Sequence, residues 1–70
     1  MSSYFLDEYL NVDDRFVTAS IRWEKHEGIV VRFMGHDGSF ERSYSALSGA
    51  RRAARRFTGP RYARFYTVKK

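Results

Sequence analysis

The sequence predicts an α+β domain in which an antiparallel sheet of three to four strands packs against one main helix. Two observations favour this fold class. Segments that alternate apolar and polar residues follow one another between residues 16 and 44, and turns that contain glycine separate them. One segment with apolar residues at helical spacing comes next, and another alternating segment follows it. The expected order is therefore (short α)-β-β-β-α-β.

Three strands of a meander are defined by their alternation and by two turns. The segment FVTASIRWE at 16–24 alternates and reads as a half-buried strand. The turn at 25–28 ends in glycine, and a run rich in β-branched residues at about 28–34 follows it. The second turn contains the Asp-Gly pair that tight hairpins favour, so a third strand is expected at about 39–44.

A helix is expected at about 46–58. Ser45 can cap its first turn, because a serine hydroxyl accepts a hydrogen bond from a free backbone N–H there. Gly59 and Pro60 supply a stop, since glycine adopts left-handed conformations and proline cannot continue the helix. The periodicity predicts a stripe that faces the sheet, composed of Leu47, Ala50, Ala54 and Phe57.

The two ends of the chain carry weaker patterns. Residues 62–69 alternate again and predict a fourth strand, whose buried side the pattern does not decide. Residues 3–10 have apolar side chains at the spacing of a short amphipathic helix. A helix of two turns is unstable alone, so this segment must pack on the rest of the domain or fray. We therefore expect one domain over residues 1–70, with an acidic, helical amino-terminal segment at 1–14.

Composition excludes several classes of protein. The chain has 70 residues and no cysteine, so no disulfide framework holds it, and its core should contribute only about 3–5 kcal/mol. A partner or a second copy, as in a homodimer, would add stability. No secretory signal and no apolar run long enough for a membrane span are present, which favours a cytoplasmic protein without membrane contact.

Charge is unevenly distributed along the chain. Residues 1–14 carry four carboxylates and no base, a net −4, whereas residues 15–70 carry a net +9. A basic body of this kind suits an acidic partner. The carboxylates either contact the arginines of the predicted helix, in the same molecule or in a neighbour, which would inhibit binding of nucleic acid, or belong to a frayed tail: Asp7, Glu8, Asp13 and Asp14.

Two arginine pairs dominate the predicted helix. At 100° per residue they share one sector opposite the apolar stripe, and their i,i+4 neighbours carry the same charge. Guanidinium groups bind phosphate or carboxylate through two hydrogen bonds, so one interpretation is an anion-binding surface. In the alternative, the arginines only cover apolar surface with their methylene groups. We call Arg51, Arg52, Arg55 and Arg56 the helix arginines.

Further residues extend this candidate surface. Exposed rings beside arginine can stack on unpaired bases, although a domain this small also needs its aromatic residues for the core. Tyr62 and Tyr66 are the candidates for stacking or for an interface, while Trp23 and Tyr44 also lie in expected strands. The basic area continues through Arg61, Arg64, Lys69 and Lys70.

The chain offers no catalytic or metal-binding pattern. His26 and His36 fall in successive hairpin turns, which lie at opposite ends of a sheet and about 20 Å apart. They cannot share a metal or a substrate within one chain. The amino-terminal carboxylates also lack the alternating ligands and the glycine of a calcium loop. We therefore expect no enzymatic activity, no catalytic residue, no metal and no cofactor.

The expected order of elements resembles that of the double-stranded RNA-binding domain, and three strands followed by a helix are similar to the AP2 domain and to the arm-binding domains of phage integrases. The helix here starts with Ser45-Ala46-Leu47-Ser48, whereas the RNA-binding pattern places basic residues at that point. Motif residues of these families are not matched. The resemblance therefore implies an arrangement of elements and no function.

Three functions remain open from the sequence. The first is a non-enzymatic protein that binds nucleic acid through its phosphates, with the helix arginines as the main contacts. The second is an interaction protein of the phage or mobile-element type, an inhibitor or adaptor that docks these arginines on an acidic surface of a host protein. The third is a structural subunit beside an acidic neighbour. Phosphate and carboxylate both suit arginine, so the sequence separates the three poorly.

Overall fold

A computed structural model describes the backbone of residues 3–66 and the side chains of residues 5–65. One sheet and one helix make up the domain, which confirms the predicted α+β class. All neighbouring strands are antiparallel, and the sheet has the order β4-β3-β2-β1-β5. In chain order the elements are β1 (Ser3–Asn11), β2 (Phe16–Glu24), β3 (Gly28–Gly35), β4 (Gly38–Tyr44), α1 (Leu47–Thr58) and β5 (Tyr62–Tyr66).

The first four strands form a meander, and the helix then carries the chain across the sheet. β4 and β5 lie at opposite edges, so the segment that joins them must pass over one face. α1 makes this passage and packs against β1, β2, β3 and β4. The result is two layers, with the second face of the sheet uncovered by any described element.

The first segment is a strand, so the predicted short helix at residues 3–10 is wrong. β1 lies inside the sheet and pairs with both β2 and β5. Its register against β2 shifts between Phe5 and Asp7 and again between Tyr9 and Leu10. Each shift breaks the regular alternation of a strand, and the apolar residues then fall at helix-like spacing. The acidic segment therefore packs on the basic body, and the resemblance of element order to the RNA-binding domain does not hold.

The core lies between the sheet and α1. Residues that are directly opposite on neighbouring strands supply it, such as Ala19 with Phe33 and Ile21 with Val31. Tyr9 adds a fully buried ring from β1. The helix contributes only small side chains at the centre of the contact, Ala50 and Ala54, which lets its backbone approach the sheet closely. The helix position is therefore set over β2 and β3.

The helix has the predicted extent but not the predicted buried stripe. Ala50, Ala54 and Thr58 are buried, Leu47 is half-buried, and Phe57 retains 41% exposure. The prediction for Phe57 is wrong because the stripe follows i, i+4 and i+8 and turns away from it. Ala46 is the N-cap and makes no side-chain cap bond, so the predicted Ser45 cap is also wrong.

The end of the helix is held by polar contacts from β1 and β2. Gly59 adopts a φ of 108°, and its N–H bonds the carbonyl oxygen of Arg55 at 2.9 Å, as expected of a glycine stop. Asn11 donates from Nδ2 to the carbonyl of Thr58 at 3.0 Å. The hydroxyls of Thr18 and Thr58 lie 2.6 Å apart in the buried interface. No helix within residues 3–66 is long and apolar enough to cross a membrane.

Candidate functional site

Arg51 differs from the other helix arginines because it binds a buried carboxylate. Its Nε donates to Asp7 Oδ2 at 2.7 Å and its Nη2 to Asp7 Oδ1 at 3.3 Å. The Asp7 side chain has no exposed surface, and the Tyr9 hydroxyl also donates to it. At about 100° per residue, Arg51 lies roughly 60° from the centre of the buried stripe, on the side of β1. The prediction that all helix arginines face away together is therefore wrong for Arg51.

The electrostatics of this pair follow from its geometry. Hydrogen bonding to Asp7 raises the pKa of Arg51 above its ordinary value, since the charged guanidinium is the donor. Burial raises the pKa of the Tyr9 hydroxyl, an effect that a hydrogen bond with Arg64 partly offsets. Arg51 is therefore a structural cation that joins α1 to β1.

Other predicted basic residues near β1 and β5 are also engaged. Arg61 pairs with Asp13 through Nε and Oδ1 at 3.1 Å, in a contact exposed to solvent. Arg64 interacts with Tyr9. Of the four amino-terminal carboxylates, Asp7 therefore binds a helix arginine, whereas Asp13 binds Arg61 outside the helix. Lys69 and Lys70 lie outside the described residues, as does the side chain of Tyr66.

The remaining helix arginines have free guanidinium groups. Arg52, Arg55 and Arg56 are exposed, and no carboxylate in the described part of the chain forms an ion pair with them. Arg55 and Arg56 occupy the last helical turn, where the helix dipole favours positive charge by about 0.3–1 kcal/mol per group. This favourable interaction offsets part of the repulsion from the arginines one turn earlier. Arg55 and Arg56 remain available to an anion.

A groove between β4 and α1 collects these charges beside exposed aromatic rings. It has a volume of about 550 Å³. The helix is centred over β2 and β3, so the edge strand β4 is only partly covered. No acidic residue of the described chain lines the groove, which is formed by Phe33, Phe40, Arg42, Tyr44, Gly49, Arg52, Ala53, Arg56 and Phe57. We call this the β4–α1 groove.

Three phenylalanines form the apolar floor of the β4–α1 groove. Phe33 is buried and supports Phe40 and Phe57, with ring centroids 5.0 Å and 5.1 Å away. Phe40 and Phe57 meet edge to face at 82°, with centroids 6.1 Å apart. Both keep much of their surface in water, 49% and 41%. The rings are held in place by their neighbours and still present apolar surface to a ligand.

Arg42 belongs to the groove although the sequence reasoning missed it. It lies on β4 two residues from Phe40, and its guanidinium carbon is 5.9 Å from the centre of that ring. Alternation along β4 places Phe40, Arg42 and Tyr44 on the helix side. That alternation was visible in the sequence, but nothing local showed that the edge of the sheet would remain uncovered there.

The aromatic residues predicted for stacking have different surroundings. Tyr44 lines the β4–α1 groove and packs on the core. Tyr62 packs against Tyr9, with ring centroids 5.9 Å apart, so the helix side of β5 is its packed side. Trp23 is half-buried. Tyr44 therefore lies beside Arg52 and Arg56 in the β4–α1 groove, and Tyr62 lines a separate depression together with Arg52, Arg55 and Arg56.

On the opposite face of the sheet, arginines pair with glutamates of the same face. Arg22 bonds both Glu24 and Glu41, and the two contacts with Glu41 are each 3.1 Å. Arg32 lies 3.9 Å from Glu41. Hydrogen bonding to Arg22 lowers the pKa of Glu41. This face offers an anion less free positive charge than the β4–α1 groove does.

The histidines lie in the two turns at opposite ends of β3. His36 stacks on Phe16 with ring centroids 5.0 Å apart, and His26 is exposed in the other turn. Within residues 3–66, no cluster of three or more histidine or carboxylate side chains is arranged to hold a metal ion. Comparison of the chain with protein-family models, with curated proteins and with solved structures finds no match.

Proposed function

We propose that this protein is a non-enzymatic nucleic-acid-binding protein whose free arginines contact the sugar–phosphate backbone. The observation that carries the proposal is the set of unpaired guanidinium groups around α1. Arg52, Arg55 and Arg56 lie on one exposed helix face, and Arg42 faces Arg52 and Arg56 across the β4–α1 groove. Phosphates suit such a set because guanidinium groups bind them in a bidentate manner. The net charge of +5 adds attraction at longer range.

The binding machinery differs from the set expected from the sequence. Arg51 is already paired with Asp7, so we assign it to the fold. Arg42 joins Arg52, Arg55 and Arg56 as a phosphate contact. Base specificity is not part of the proposal, because phosphate contacts position a protein without reading sequence. We propose that it acts in the cytoplasm, where nucleic acid is accessible.

The test is the salt dependence of binding to a labelled DNA duplex, measured by fluorescence anisotropy. If Arg52, Arg55 and Arg56 each neutralise one phosphate, they contribute about −3 to the slope of log K against log salt. Replacing the three with glutamine should flatten the slope by that amount and weaken binding at low salt. Unchanged affinity in the triple variant would exclude these arginines as the contact.

The matched control is Arg32→Gln on the opposite face. The Arg32 side chain is 51% exposed and makes two long contacts, 3.9 Å to Glu41 and 3.4 Å to the Ser39 hydroxyl. Its replacement removes the same formal charge without touching the α1 surface. It should therefore change the binding constant little, whereas Arg56→Gln should weaken binding and reduce the slope by about one contact.

An acidic protein surface is the second candidate partner, and β4 favours it. β4 is an edge strand whose residues 38–43 are exposed, and it borders a groove of aromatic and arginine side chains. Arginine and aromatic residues are frequent hot spots of protein interfaces, and an exposed strand edge can pair with another chain. An inhibitor or adaptor of the phage type would use this surface on a host protein, and a homodimer would use it on a second copy.

Nuclease treatment separates the two candidates. Nucleic acid bridges basic proteins to many others in an extract, so co-purification alone is uninformative. If phosphate is the primary ligand, exhaustive digestion should remove the associated proteins. A one-to-one protein complex that survives digestion and dissociates after charge reversal at Arg52 and Arg56 would overturn the nucleic-acid proposal.

A further inference from the structure

We infer that the β4–α1 groove takes an unpaired base, so that the protein prefers single-stranded nucleic acid to duplex. This inference rests on the proposed function and specifies the form of nucleic acid that the same surface selects. It requires three properties of the groove: an accessible aromatic floor, cations at its rim and space for a flat ring.

The aromatic floor is accessible because small residues of α1 face β4. Gly49 and Ala53 line the groove, and larger side chains there would fill it. A Cβ at Gly49 would lie 3.9 Å from Tyr44 Cδ2, an ordinary van der Waals contact that glycine leaves unmade. Phe40 and Phe57 then present about half of their surface, 49% and 41%, to the groove and the solvent. Stacking on such rings tolerates any base, because every base has a π face.

The cations at the rim make a nucleotide a better occupant than a neutral apolar group. Arg42 lies beside the Phe40 ring, and Arg52 and Arg56 stand on the helix side of the groove. No carboxylate within the described residues pairs with Arg42, Arg52 or Arg56. A base on the floor would place its own phosphates beside these groups. Charge and ring therefore match the two parts of one nucleotide.

The size of the groove also fits this occupant. Its volume of about 550 Å³ lies in the range of small-molecule clefts, and the groove is broadly open to solvent. A strand can therefore continue on both sides of an inserted base. Bases in a duplex are stacked and paired, so entry from a duplex must first unstack a base at a cost. The same phosphates in a single strand carry bases that enter freely.

The first experiment compares strands that differ only in their bases. Labelled poly-thymidine and an abasic strand with the same number of phosphates are titrated by fluorescence anisotropy, with a duplex as the third probe. We expect the thymidine strand to bind about 5- to 150-fold more tightly than the abasic strand, the range that stacking of a base on an aromatic side chain provides. Equal affinity for the two strands, with normal salt dependence, would overturn the groove inference and leave the phosphate proposal standing. No binding to any strand would overturn both.

Variants locate the effect in the β4–α1 groove. Phe40→Leu removes the ring and keeps an apolar side chain, and Ala53→Leu fills the groove without changing any charge. Each should reduce the preference for thymidine over abasic strand to less than about twofold, with an unchanged salt slope, while Phe40→Trp should retain the preference. The matched control is Phe65→Leu, which removes a ring of similar exposure, 53%, on the opposite face. Loss of the preference in the Phe65 variant alone would overturn the inference.

A measurement on the unaltered protein guards against variants that fail to fold. A fluorescent base analogue, 2-aminopurine, is placed within the thymidine strand, since its emission falls when it stacks on an aromatic ring. Quenching when the strand binds the unaltered protein supports an inserted base, and binding without quenching overturns the inference. The competing occupant is an acidic peptide, and the probe is a glutamate-rich peptide that contains phenylalanine. If this peptide displaces none of the bound strand, yet binds the Phe40→Leu variant more weakly than the unaltered protein, the groove belongs to the peptide and the inference fails.

Discussion

Removing Arg51 should destabilise the protein far more than removing any other helix arginine. The Asp7 side chain has no exposed surface, and its two oxygens accept bonds from Arg51 at 2.7 Å and 3.3 Å. In Arg51→Gln the carboxylate would keep only the Tyr9 hydroxyl, at 3.3 Å, as a charge-stabilising partner. A buried carboxylate left without its cation is the costly product of this substitution.

The magnitude follows from the burial of the two partners. Breaking a buried ion pair by removing one partner costs about 3–5 kcal/mol. The Arg51 side chain is 34% exposed, so solvent already screens part of the interaction. We therefore expect about 3 kcal/mol, which is most of the stability of so small a domain. The matched control Arg55→Gln removes a free guanidinium one turn later and should change the free energy of unfolding by less than about 0.5 kcal/mol.

The assay is urea unfolding, followed by far-UV circular dichroism and by the fluorescence of Trp23. A double variant, Asp7→Leu with Arg51→Leu, tests the cause. Apolar residues that replace a whole buried pair are often neutral or stabilising, so the double variant should regain most of the lost free energy. It should also bind DNA with an unchanged salt slope, because Arg51 is not among the proposed phosphate contacts.

Two outcomes would refute this reasoning. If Arg51→Gln is as stable as Arg55→Gln, the contact with Asp7 does not contribute to the fold. If the double variant is as unstable as Arg51→Gln, the loss does not come from an unpaired buried carboxylate. Either result would return Arg51 to the set of candidate ligand contacts.

Two further predictions concern polar groups of the core. Burial raises the pKa of the Tyr9 hydroxyl above its ordinary value of 10.0, so the unfolded chain ionises first. The associated stability is complete below pH 10 and declines as the pH rises beyond it. Thermal melts across this range should show the decline, and Tyr9→Phe should reduce its steepness. Thr58→Val removes the 2.6 Å contact with the Thr18 hydroxyl and should cost about 1–3 kcal/mol in urea unfolding, whereas Thr58→Ser should retain most of the stability. A valine variant as stable as the serine variant would contradict the second prediction.

Features that depend on neighbouring residues were predictable from the sequence. The Asp-Gly turn, the alternating strands and the glycine stop each arise from contacts within a few residues. Gly59 illustrates this, because its positive φ and its bond to Arg55 form within one helical turn. These features were sufficient for the α+β class, the meander and the extent of α1.

Features that depend on distant partners could not be read from a local pattern. The local sequence predicts that Asp7 faces solvent. Its burial is compensated by Arg51, which lies 44 residues later in the chain. The two register shifts in β1 likewise depend on β2 and β5. The same reasoning applies to Phe57, since the phase of the helix is decided by the close approach of Ala50 and Ala54 to the sheet.

The position of the acidic residues explains why the candidate site lies on the β4 side of α1. Asp7 engages Arg51 and Asp13 engages Arg61, so these two arginines beside β1 and β5 are neutralised. Neither carboxylate pairs with Arg52 or Arg56 in the described structure, so the amino-terminal segment does not block the groove in the way that an inhibitory tail would. It concentrates the unpaired charge beside the exposed rings instead. Neutralising Asp13, as in Asp13→Asn, should therefore strengthen the attraction of phosphate generally but leave the preference for unpaired bases unchanged. A changed preference would place the surface that binds the bases near β5.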